Sequence, residues 1–305
     1  MRALRIVGGS LLTVWVVLTV VFFMVRLAPG GPFDSEKALS PDIKAQLEHF
    51  YGLDKPITSQ YLDFLGHIAR GDLGISLVME GESVGKIIAQ AFPVSLGLGG
   101  LALLIAAGAG IPLGFYWAGQ KKRGIAHKII SGRWLYLFAM LPSFVAAPLL
   151  QQLVLLCGGR AYGYEGFSSL LWPSLTLGLY YLPFVARLVQ VGFQEESRGL
   201  YLRVAQSKGL SRKRALWQHG AKAALSPVLA YLGPTAAGLI TGSFVVETVW
   251  GLPGMGRFFV NSVFNRDDTL LLGLVAFYAL ILIFFNTVIE LVLSKWNPAS
   301  GRRLR

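Results

Sequence analysis

"IIAQAFPVSLGLGGLALLIAAGAGIPLGFYWAGQ", from Ile87 to Gln120, runs for 34 residues without an Asp, Glu, Lys or Arg. About 20 apolar residues suffice for a helix to cross roughly 30 Å of hydrocarbon. Lipid gives backbone N–H and C=O groups no partners, so a closed helix is the natural way to span it. Five more runs share the property: Ile6–Val25, Trp134–Gly159, Gly166–Ala186, Ala223–Val246 and Thr269–Ile289. Each reaches 20 residues or more, and together they predict an all-α integral membrane protein with six transmembrane helices.

Composition agrees. Hydrophobic residues make up 54% of the 305-residue chain and charged residues 14%, too few charges for a soluble surface. The lone Cys157 excludes an internal disulfide framework and supplies no metal-ligand cluster. The net charge of +12 would suggest nucleic acid in a soluble protein. Here its distribution follows the membrane. With the N-terminus inside, 19 of the 28 Lys and Arg fall on the inner side, while 13 of the 16 acids fall outside. The positive-inside rule then predicts N-in and C-in, and the charge argues against a nucleic-acid partner.

The first run is longer than a signal-peptide core and ends in "RLAPGGP" without an A-x-A site, so it is expected to be retained as a helix within residues 1–28. Residues 29–91 form the outward segment. There, Ser40 and Pro41 mark a helix start and Gly52 its stop, while Ile57, Tyr61, Phe64, Leu65 and Ile68 share one face of a second helix. A cap on the membrane face and a docking surface are compatible readings. Residues 92–294 hold the remaining spans and 295–305 an inner tail. Ala106, Gly110 and Gly114 repeat at spacings of four, the pattern of close helix packing. The outer stretch "ETVWGLPGMGRFFVNSVFNRDD" predicts a tight turn and a short surface helix from Arg257 to Phe264.

Motifs of chemistry are missing: no H-E-x-x-H, no G-x-S-x-G, no Cys/His cluster. "GESVGKI" from Gly81 has the wrong glycine spacing for a phosphate loop and Ile87 where Ser or Thr would hold Mg²⁺. The four histidines, His49, His67, His127 and His219, fall in loops and read as solvated side chains. No run contains an ionisable group that would couple transport to an ion, and Glu247 and Glu290 sit at helix ends, where snorkelling explains them. A membrane-embedded enzyme and an ion-coupled carrier are thereby weakened. A transporter of this kind needs energy from another subunit, applied to an inner surface.

The inner stretch "YLRVAQSKGLSRKRALWQHGAKAALSP", Tyr201 to Pro227, is cationic and free of acids. It predicts a short helix from Leu200 to Lys208, a turn at Gly209 with positive φ, and a second helix capped by Ser211 that leads into the fifth span. This helix–Gly–helix resembles the EAA coupling loop of ATP-binding-cassette importers. Arg203 stands in place of the Glu, Val204 in place of the first Ala, and Ala205 and Gly209 match. "RLAPGGPF", "YGLDKPITSQYLDFLGHIARGDLGISL", "FPVSLGLGGLALLIAAGAGIPLG", "AQSKGLSRKRALWQHGAKAALSPVL" and "GSFVVETVWGLPGMGRFFVNSVFNRD" resemble, in order, the B-type membrane subunits of oligopeptide and dipeptide permeases. Gly220 after His219 departs from that pattern, where Ala is commoner, and is expected to loosen the second helix.

The resemblance implies the type I importer permease fold in a cytoplasmic (inner) membrane. It implies a pathway shared with a second, homologous permease subunit, for peptides delivered by an extracytoplasmic binding protein. Two cytoplasmic ATP-binding subunits would carry ATP and Mg²⁺; this chain would hold no cofactor and catalyse nothing. Within the coupling loop, residues 196–226, Arg203, Val204, Ala205, Ser207, Lys208, Gly209 and Leu210 would meet an ATPase. At the outer turn, Gly251, Gly254, Gly256 and Arg257 would meet the binding protein. Related permeases carry nickel complexes, glutathione or peptide antibiotics, so the cargo stays open.

Overall fold

The computed structural model describes residues 2–28, 33, 40–79, 81–119, 140–159 and 162–296. Its helices are α1 (Arg2–Leu27), α2 (Pro41–Phe50), α3 (Ile57–Ala69), α4 (Val84–Gly119), α5 (Ser143–Leu156), α6 (Leu171–Glu196), α7 (Leu200–Ser207), α8 (Arg212–Ala215), α9 (Ala221–Ala224), α10 (Ser226–Ile240), α11 (Phe244–Trp250), α12 (Met255–Phe264) and α13 (Asp268–Trp296). Among the described residues there is no named strand, and one isolated bridge joins Ile75 to Ser83.

Four stretches are long and apolar enough to cross a membrane: Val84–Gly119, Phe167–Glu196, Ala221–Ile240 and Asp268–Leu293. Leu11–Leu27 and Ser143–Leu156 are apolar but shorter; residues 134–139 of the third expected span, and the inner segment 121–133, lie outside the described residues. The fifth expected span is corrected. The run Ala223–Val246 is not one helix but stops at Ile240, and α11 starts afresh at Phe244. Gly242, at φ +107, makes the break in a conformation only glycine enters without strain.

Between lipid-embedded helices there is no hydrophobic drive to associate, so close backbone approach must hold them together. α4 and α6 show it along their length. A Cβ on Gly110 would lie 3.0 Å from the Leu182 carbonyl oxygen, and one on Gly114 would lie 2.5 Å from that of Ala186. Ala106, four residues before Gly110 on the same face, is fully buried. The Ser174 hydroxyl of α6 donates to the Leu98 carbonyl of α4 at 3.1 Å. α10 packs against α4 and α13, with Gly99 touching the backbone of Leu239, and α1 lies along α13.

The segment between α1 and α4 folds as a cap. The expected apolar face of α3 meets the end of α1, where Phe22 stacks on Phe64 at 5.3 Å and Phe23 lies 5.4 Å from Tyr61. The Thr19 and Tyr61 hydroxyls are 2.6 Å apart. α2 starts at Pro41 and Gly52 ends its turn at φ +66, but Ser40 makes no side-chain capping bond. His49 and His67 are on α2 and α3 rather than in loops. Each is exposed and paired with a carboxylate, Asp54 at 2.7 Å and Asp72 at 2.9 Å. Buried Asp267 caps α13 by accepting from Leu270 N at 3.1 Å, and the same oxygen takes Leu77 N at 3.0 Å. The Ser76 hydroxyl donates to its other oxygen. One carboxylate therefore starts the last span and clips the cap to it. Arg26 of α1 reaches Asp268 at 3.2 Å beside it.

Candidate functional site

Two places at opposite ends of the bundle combine exposed backbone turns with firm anchorage. α10 separates them, at 1.5 Å per residue.

The first is the helix–Gly209–helix segment. α7 ends in a Schellman motif: Gly209 N donates to Gln206 O at 3.0 Å and Leu210 N to Ala205 O at 3.2 Å. This closure needs a left-handed residue, and Gly209 has φ +86. The apolar contact that accompanies such a motif is present, since Leu210 packs with Ala205, Ala215 and Leu216. Ser211 then caps α8, its hydroxyl accepting from Arg214 N at 3.4 Å.

The sequence-predicted residues therefore divide. Ala205 is buried and Leu210 half-buried; they hold the turn together. Val204, Ser207, Lys208 and Gly209 are exposed, and the Ser207 hydroxyl is turned back onto the Val204 carbonyl at 2.9 Å. Arg203 is on α7. Val204, 55% exposed, is the one aliphatic side chain α7 offers outward among its described side chains.

The anchor was not visible in the sequence. Trp217 lies 5.0 Å from Phe115 of α4 and 5.7 Å from Phe193 of α6, and those two rings meet edge to face at 5.3 Å. Three rings thus tie the segment to two spans. The second tie is backbone on backbone: a Cβ on Gly192 of α6 would lie 2.7 Å from the Ala224 carbonyl oxygen. Between them the chain widens into a π-helix, Leu216–Gly220, ending at the glycine expected to loosen it. At its far end, Trp296 donates to the Lys222 carbonyl at 2.8 Å.

The second place is the turn after α10. Gly251, at φ +68, ends α11 and reverses the chain into α12, which starts at Met255, two residues before the expected start. Gly251 is half-buried and Arg257 exposed. Gly254 and Gly256, expected at the surface, are buried instead, because the Glu247 carboxylate fills the space a side chain on Gly254 would need.

Glu247 corrects a second expectation. It does not snorkel but is fully buried. Ser95 of α4 donates to its Oε1 at 2.8 Å, and Arg257 N to its Oε2 at 3.0 Å. The N–H groups of Gly256 and Ser243 also point at it. Ser95 in turn accepts Met255 N at 2.8 Å, so one hydroxyl serves both the carboxylate and the start of α12. Burial holds the carboxyl above its usual range, and these donors offset that only in part. The signal that could have revealed it is the set of glycines around it, Gly242, Gly254 and Gly256. Glu290, the other residue read as snorkelling, is exposed.

Residues 110–299 match the protein family described as binding-protein-dependent transport system inner membrane component. The oligopeptide transport system permease protein OppB of Haemophilus influenzae is 37% identical over 300 residues, 95% of each chain. OppB of Salmonella typhimurium is 38% identical over 273 residues, 86% of each. The dipeptide transport system permease protein DppB of Lactococcus lactis is 34% identical over 300 residues, 97% of each. Among solved structures, a chain of the MetNI methionine ABC transporter superposes with TM-score 0.57 at 13% identity, covering 69% of this chain and 96% of that one. A chain of an amino acid ABC transporter gives 0.52 at 18%, covering 68% and 94%. These two likenesses show the fold.

Proposed function

Because the chain belongs to the family of binding-protein-dependent transport system inner membrane components, we propose that it works as the peptide-import member of that family. It is a multi-pass permease subunit, and it forms half of a pathway whose other half is a second permease. The coupling of ATP hydrolysis in cytoplasmic subunits to that pathway runs through α7, Gly209 and α8.

The observation that carries the reading is the anchorage of that segment. A force applied at exposed Val204, Ser207, Lys208 and Gly209 has a short route inward. It passes through the Ala205–Leu210–Ala215 contact and the Trp217 rings to α4 and α6. A loosely tethered loop would absorb the displacement; a Schellman-closed turn on an aromatic anchor transmits it. A docking role at the far end for Gly251 and Arg257 fits the same scheme, with an external peptide-binding protein as the visitor. N-in and C-in orientation, from the distribution of Lys and Arg, would place α7 on the ATPase side.

Purification of the intact membrane complex tests this. ATP-binding subunits should co-purify, and peptide uptake in proteoliposomes should be lost on Gly209→Trp while the complex stays assembled. A chain that transports peptide alone, with full activity and no ATPase, would overturn it.

A further inference from the structure

Glu247 does work that neither lipid contact nor helix packing explains. Its carboxylate is buried at the point where three elements meet: α4 through Ser95, the break after α10 through Ser243, and the first turn of α12 through Gly256 and Arg257. Every polar partner is a donor. The Ser95 hydroxyl accepts Met255 N and donates to the carboxylate. A carboxylate offers an acceptor oxygen to every donor, whereas an amide has one oxygen and an NH₂, so it could keep Ser95 only if the hydroxyl gave up its own donation. The site is also built to size. Gly242 and Gly256 each leave room that a Cβ would take, with Glu247 oxygens 2.7 and 3.1 Å from where those carbons would sit. Tyr278 of α13 closes the far side by donating to Met255 O at 3.0 Å.

α11 is bracketed by two left-handed glycines, Gly242 and Gly251. Such joints turn the chain sharply but do not fix where the following piece lies. Glu247, midway between them, supplies the missing constraint. We propose that Glu247 is the positioning residue of this turn: as an anion it pins the start of α12 to α4 through Ser95, and so holds the Gly251–Arg257 edge in the one place where an arriving binding protein can use it. The docking half of this statement rests on the proposed function; the pin itself rests on geometry alone.

The two halves separate in one experiment on the reconstituted complex. A Ser262→Cys reporter is placed on the buried face of α12, in a Cys157→Ser background because Cys157 is exposed. Labelling by N-ethylmaleimide, and the binding-protein concentration giving half-maximal ATPase stimulation, are measured for Glu247→Gln and for Ser95→Ala. Loss of a buried charge-assisted bond should raise both by roughly fivefold or more, with maximal stimulated turnover unchanged. Where Glu247→Gln fails to assemble, Ser95→Ala, which keeps the carboxylate, carries the test. Unchanged labelling in the assembled variants overturns the pin. Raised labelling with an unmoved half-maximal concentration keeps the pin and removes the docking role of the Gly251–Arg257 edge.

Discussion

The Trp217 indole lies 5.0 Å from the Phe115 ring, joining the segment that follows Gly209 to the long helix α4. Coupling should depend on that contact more than on the charges beside it. Trp217→Ala removes a half-exposed ring from a three-ring cluster, a cost of about 1–2 kcal/mol. The expected result is a complex that retains its ATPases but moves less peptide per ATP. Trp217→Phe should keep most of the yield. Equal peptide-to-ATP ratios in wild type and Trp217→Ala would refute the route through Phe115.

Gly209 makes a cleaner case. Nothing lies within 4 Å of where its Cβ would be, so substitution meets strain without clash. Gly209→Ala should cost about 1 kcal/mol through φ alone and leave assembly intact. Uptake should fall further in Gly209→Ala than in the triple change of Arg212, Lys213 and Arg214 to Gln. Transport assays that ranked them in reverse would show that charge, not the turn, meets the ATPase.

Packing in the bundle predicts a sharp contrast inside one helix. Gly114→Val drives a side chain into the Ala186 backbone, while Gly108 has nothing within 4 Å. The first should lower stability by about 1–3 kcal/mol or prevent assembly, and Gly108→Val should be nearly silent. Thermal unfolding of the detergent-solubilised chain reads both.

Arg26 and Asp268 have side chains 18% and 14% exposed, so neither is well served by water once its partner goes. Asp268→Asn should destabilise by about 1–3 kcal/mol. The double change with Arg26→Met should recover part of the loss. Additive effects in that cycle would mean the ion pair contributes nothing of its own.

The exposed cap should respond to acid. The Gly74 N–H, 2.9 Å from Asp72 Oδ1, and then His67 hold the Asp72 carboxyl below the usual range. For an acid with a lowered folded value, the stabilisation is present above the unfolded value, about 3.9. It is lost as pH falls through the folded one. Protection of the Gly74 amide from hydrogen exchange, relative to its intrinsic rate at each pH, should therefore fall below about pH 4, and Asp72→Asn should abolish that step.

Much of this was legible in the chain itself. The charge-free runs announced apolar helices because lipid excludes charge whatever the tertiary structure. The small-residue spacing of Ala106, Gly110 and Gly114 announced a close helix contact because only small side chains admit one, though not that the partner is α6. Gly209 was legible because a Schellman closure needs a left-handed residue. The break at Gly242 was not, since an apolar run looks the same whether or not its helix is continuous. Glu247 was misplaced for a related reason. Its partners are a serine 152 positions away and backbone N–H groups, which carry no sequence signature. Trp217 escaped notice because its partners Phe115 and Phe193 lie on two other helices.

The π-helix at Leu216–Gly220 has a consequence for how this protein can vary. A π turn accommodates one residue more than the α-helical ladder around it, and that extra residue shifts the phase of everything downstream by about 100°. Upstream, the buried faces of Ala205 and Ala215 set which side chains look toward a partner. Downstream, Ala224 must face Gly192 for the fifth span to seat. The two demands need not agree in phase, and the widened turn absorbs the difference. The surface proposed to meet an ATPase can therefore be retuned without re-indexing the bundle behind it. A one-residue deletion within Leu216–Gly220 would lock the two together and set one of them wrong.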